Sequence, residues 1–106
     1  MSDGRVAAEP RAVESLNAEQ RARALSPFVR GAQLVTIPVK RAKRLVVLDW
    51  LAQDFEPGRH YTEAMVNDIL RVHHPDTAAL RRYLVDDGFL DRSAGEYWRC
   101  GGSIVE

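Results

Sequence analysis

A chain of 106 residues, 45% hydrophobic and 28% charged, holds one globular core; it is too short for two ordinary domains and too apolar for a disordered tract. The longest bulky apolar run, Leu45 to Leu48, falls far short of the roughly 20 residues that span a bilayer, so no membrane segment is expected, and Asp3, Arg5, Glu9 and Arg11 point away from a secretory leader. Fifteen basic residues balance 15 acidic ones, and the single cysteine, Cys100, excludes an internal disulfide and fits a reducing cytoplasm.

Residues 1–16 carry no bulky apolar repeat and read as a flexible tail. Asn17 and Gln20 have capping-box spacing, so a helix is expected over Ala18 to Arg30, kinked or divided at Pro27 and stopped at Gly31. Gln33 to Ile37 is a β-branched run closed by Pro38, the pattern of a short edge strand. A second helix starts at Val39 or Lys40 and runs to about Asp54, with Leu45, Leu48, Leu51, Ala52 and Phe55 as its apolar stripe and Trp50 on the flank. Pro57-Gly58 ends it. Thr62 caps the next helix, with Met65, Val66, Ile69 and Leu70 inward, until Pro75 interrupts. Asp76 or Thr77 caps a further helix with Leu80, Tyr83 and Leu84 on one face, and Gly88 stops it. Phe89 to Arg92 and Glu96 to Arg99 flank Ser93-Ala94-Gly95 as a hairpin, in which Tyr97 and Trp98 face opposite sides. The domain spans 17–100, followed by a loose tail over 101–106.

The order predicts an α+β, mostly helical fold: a winged helix-turn-helix-like domain with an extra N-terminal helix and a C-terminal hairpin wing. The strand at Gln33 to Ile37 is expected to pair with the hairpin, since two strands alone are marginal in water.

The string Lys43-Arg44-Leu45-Val46-Val47-Leu48-Asp49-Trp50-Leu51-Ala52, with Tyr61-Thr62-Glu63, Val66-Asn67, His74-Pro75-Asp76, Leu80-Arg81-Arg82, Leu84-Val85-Asp86, Gly88 and Tyr97-Trp98-Arg99, resembles a bacterial domain family of unknown function. The resemblance covers Phe28 to Arg99. It implies a bacterial regulatory context, with members alone or attached to helix-turn-helix regulators, and brings no catalytic residue.

Charge is unevenly placed: residues 21–44 hold seven bases and no acid. Lys40, Arg41, Lys43 and Arg44 crowd a helix start, where cations oppose the helix dipole, so phosphate or an acidic protein partner is expected there. On the helix after Asp76, taking Leu80 as 0°, Ala78 falls near about 160° and Arg82 near about 200°, away from the core, with Thr77 and Arg81 to one side. A small residue beside arginine on an exposed face suits a major groove. Arg92 and Arg99 on the hairpin complete a candidate duplex-DNA interface, although Asp86, Asp87, Asp91 and Glu96 lie close by. An ordinary solvated face or cross-strand ion pairs would explain the same charges.

His60, His73, His74, Asp76 and Cys100 lack the paired spacing of zinc ligands, and no phosphate loop or nucleophile elbow occurs, so neither metal, cofactor nor catalysis is expected. The sequence thus supports a transcription-regulatory DNA-binding protein or a non-catalytic protein-interaction module of the same fold. A homodimer through an exposed hairpin aromatic is compatible with either.

Overall fold

The computed structural model describes residues 16–104; the expected N-terminal tail lies outside them up to residue 15. Among the described residues the fold is a small α+β one of four helices and two small antiparallel sheets.

Helix α1 (Ala18–Leu25) opens with the expected capping box: the Asn17 side chain accepts from Gln20 N at 2.8 Å and the Gln20 side chain from Asn17 N at 2.9 Å. It stops short of Pro27 rather than reaching Arg30. The chain then forms β1 (Val29–Arg30) and β2 (Gln33–Leu34), paired across Gly31 at φ 62°. The long kinked helix is therefore corrected to two turns of helix and a ribbon. Val29 and Arg30 leave the helix because Pro27 removes a donor and Gly31 supplies the turn.

Helix α2 (Arg41–Ala52) is the centre of the molecule. Leu45, Val47, Leu48, Leu51 and Ala52 are almost completely buried, and Val46 and Asp49 nearly so. Such all-round burial follows from its position: α1 packs on one flank, the later helix Thr77–Asp86 on another, and Phe55 closes the end. Strand β3 (His60–Thr62) comes next. Thr62 then doubles as the N-cap of α3 (Glu63–Arg71), accepting from Met65 N at 3.1 Å, with Glu63 in the first turn where the dipole favours it. Val66 and Leu70 are buried, Met65 and Ile69 partly so.

Asp76 caps α4 (Thr77–Asp86), accepting from Ala79 N at 3.1 Å. The helix buries Leu80 and Leu84 and ends in a Schellman turn at Gly88, φ 84°, where Phe89 N donates to Leu84 O and Gly88 N to Val85 O. Strands β4 (Leu90–Ser93) and β5 (Glu96–Arg99) form the expected hairpin, with Ala94 at φ 51° and Gly95 at φ 81° as the two-residue loop.

The three-stranded sheet has the order β3-β5-β4. Its third strand is His60–Thr62, in register with Trp98, Tyr97 and Glu96, and not Gln33–Ile37 as the sequence suggested. Gln33–Leu34 has other obligations: it pairs with β1, and Leu34 N donates to His73 O. Tyr61 and Tyr97 face the core while His60 and Trp98 stack on the outer side, ring centroids 4.9 Å apart.

Of the tail 101–106 expected to be loose, Gly101–Ser103 are fastened, whereas Ile104 is 74% exposed and 105–106 lie outside the described residues. Ser103 is 2% exposed; its N–H donates to Asp49 Oδ1 at 2.6 Å and its Oγ accepts from Arg21 Nη2 at 2.8 Å. Its carbonyl accepts from Gln53 Nε2 at 2.9 Å and from Arg99 Nη2. Asp49 is thus a buried carboxylate with a reason, shared between Ser103 and Arg21 Nε at 3.6 Å.

Candidate nucleic-acid interface

Helix α4 turns Leu80 and Leu84 inward, so its other face is free to meet solvent or a partner. Ala78 and Arg82 are exposed there, and Thr77 and Arg81 lie half-buried beside them. Across from this face stands the β4–β5 hairpin. Ala78, Arg81, Arg82, Val85, Asp86, Arg92 and Tyr97 together line one recess of about 200 Å³.

The arginines of the predicted interface separate by what already occupies them. Arg41 pairs with Asp87, Nη2 to Oδ1 at 3.0 Å. Arg44 donates to Val39 O at 3.0 Å and lies over the Tyr83 ring, 4.4 Å from its centroid. Arg81 holds Asn67 Oδ1 at 2.5 Å and Glu63 Oε2 at 3.8 Å, bracing α4 on α3. Arg99 is an internal fastener, giving Nε to Gly101 O, Nη1 to Phe55 O and Nη2 to Ser103 O. Arg99, expected on a DNA-facing wing, thus turns its donors onto three backbone carbonyls of the protein, the Ser103 carbonyl being shared with Gln53 Nε2. The Arg82 side chain makes no hydrogen bond or ion pair among the described residues, and the Arg92 guanidinium has only the Tyr97 ring, 5.6 Å away. These two guanidiniums, one from α4 and one from β4, converge on the same recess.

The α2 cations belong to another side. On the α4 wheel the recess centres near about 160°, whereas Tyr83 and Asp87, the partners of Arg44 and Arg41, fall near about 300° and about 340°. Lys40 and Lys43 are exposed and unpaired among the described residues. The ten predicted contacts therefore do not form one surface. Thr77, Ala78, Arg81, Arg82 and Arg92 gather at the recess and its edge; Lys40, Arg41, Lys43 and Arg44 stand behind α4.

Val85, Asp86 and Tyr97 also line the recess and went unassigned from sequence. Tyr97 Oη donates to Glu63 Oε1 at 3.1 Å, which fixes the recess floor. The alternation of Tyr97 and Trp98 implied that one aromatic points inward, but not that it lies beneath Arg92. The histidines are each engaged: His60 Nδ1 with Glu96 Oε1 at 2.9 Å, His73 between Ala32 O and Asp54 Oδ2 at 2.5 Å each, and His74 Nδ1 accepting from Asp76 N at 3.0 Å. Among the described residues, no group of three His, Cys, Asp or Glu could hold a metal ion, and no helix is long and apolar enough to cross a membrane.

Among the described residues, four helices, a two-stranded ribbon and a three-stranded sheet beside an arginine-lined recess make a small α+β domain. Residues 33–99 match an uncharacterised protein family conserved in bacteria (DUF2087), and the chain belongs to that family. No curated protein and no solved structure matches the chain. Helix α1, β1 and the Gly101–Ser103 fastening lie outside the matched span.

Proposed function

We propose that α2 through β5 is a winged-helix domain and that the protein is a cytoplasmic, non-catalytic, transcription-regulatory DNA-binding protein. The order helix, strand, helix, helix, hairpin, with β3 as the third strand of the wing sheet, supports the fold reading. In it α4 enters the major groove and β4–β5 lies on the flanking backbone.

One observation carries the functional reading: the two candidate arginines left without hydrogen-bonding partners, Arg82 and Arg92, meet at one recess beside the small side chain of Ala78. Arginine is costly to leave unpaired beside a protein surface unless solvent or an anion takes its donors, and phosphate accepts them in a bidentate fashion. The measurement is fluorescence anisotropy with random-sequence duplex DNA at low salt. Binding by the intact chain, lost in Arg82→Ala/Arg92→Ala and kept in an Arg71→Ala control, supports the reading. No binding at low salt removes it.

A second reading, the same fold docking a protein instead of DNA, is favoured by Asp86, whose carboxylate lines the recess and repels phosphate. Binding that depends on Arg82 but ignores duplex DNA would select it.

A further inference from the structure

Val39, Lys40 and Lys43, at and just before the start of α2, are a second set of exposed side chains outside the lining of the arginine recess and independent of the reading just given. Val35 and Val39 are 58% and 92% exposed, two of the four large hydrophobic side chains that stand out among the described residues. A valine just before a helix cap ordinarily packs onto the first turn; Val39 does not. Lys40 and Lys43 flank it, both exposed and without partners among the described residues. Among the described residues, the carboxylate of Asp87 reaches this end of α2 and pairs with Arg41. No acidic residue occurs between Gln20 and Asp49 to neutralise the lysines locally.

We infer that this surface docks an acidic protein segment bearing apolar side chains, its carboxylates on Lys40 and Lys43 and an apolar group on Val39. Charge complementarity selects an anionic occupant, and the exposed valines select a protein one. A phosphate backbone gains nothing from covering Val39, whereas an apolar side chain removes it from water. The surface lies behind α4, so an acidic partner and an occupant of the recess could be held at once.

A fluorescein-labelled peptide of repeated Glu-Glu-Leu is the probe, read by anisotropy with the intact chain and mapped by backbone amide shifts. Binding should centre on residues 35–44, weaken at least about tenfold in Lys40→Glu/Lys43→Glu, and weaken also in Val39→Ser. It should be unchanged in Arg82→Ala/Arg92→Ala. All these side chains are exposed, and unaltered thermal unfolding of each variant confirms that folding is intact. The inference is overturned by absence of binding at low salt, by equal binding of the charge-reversed variant, or by equal binding of a Glu-Glu-Ser peptide. It is overturned too if duplex DNA or phosphatidylserine vesicles compete for these residues more strongly than the peptide does.

Discussion

A methyl group at Gly101 would lie 2.4 Å from the carbonyl oxygen of Gly88, closer than any real side-chain carbon approaches backbone oxygen. The obstacle is main chain, so relief requires moving either the Gly88 turn or the Gly101–Ser103 segment. That segment in turn supplies the N–H, carbonyl and hydroxyl that engage Asp49, Gln53, Arg99 and Arg21. Gly101→Ala is expected to cost about 1–3 kcal/mol, read as a lower urea midpoint at unchanged slope. The neighbouring thiol reports on the same corner. Partial burial raises the Cys100 pKa above its ordinary value, and the Asp91 carboxylate raises it further. Less thiolate is then present near neutral pH, so iodoacetamide should alkylate Cys100 more slowly than it does a free thiol. Asp91→Asn should speed the reaction; an unchanged rate would mean that Asp91 does not act on the sulfur.

At the scale of elements, the β4–β5 turn carries a local conflict. Ala94 and Gly95 both take positive φ, as a two-residue hairpin requires, yet alanine pays for it sterically where asparagine or glycine would not. Ala94→Asn should therefore raise stability by roughly 0.5–1 kcal/mol, visible as a higher melting temperature. The hairpin itself was legible because turn residues and aromatic alternation agree with each other. The helix ends at Asn17, Thr62, Asp76 and Gly88 were legible for a like reason: each cap is a local contract between a side chain or a positive φ and nearby backbone. Strand β3 was not. His60–Thr62 is three residues long, its last residue also caps α3, and it exists only because Tyr97 lies across from Tyr61. Pairing across 36 positions leaves no mark on a three-residue window. Gln33–Ile37 misled in the opposite way, since its β-branched composition announced a strand but said nothing of which partner it would choose.

Across the whole molecule, sequence proximity and spatial proximity part company among the basic residues, and the candidate site suffers for it. The exposed side of α4 was readable from periodicity anchored on Leu80 and Leu84. The burden on each arginine was not, because Asp87, Tyr83, Asn67 and the Phe55 carbonyl are distant in sequence from the cations they occupy. The difference is measurable as a salt dependence. Had all eight predicted cations met phosphate, the log–log slope of DNA affinity against salt would approach about −7, at −0.9 per phosphate neutralised. Arg82 and Arg92 alone give about −2. A salt series on the intact chain should yield the shallow slope, and Lys40→Glu/Lys43→Glu should leave it where it is, because those lysines stand behind α4. A steep slope that flattens on reversing the two lysines would mean that duplex DNA wraps from the recess round to the start of α2, and the two surfaces would have to be counted as one.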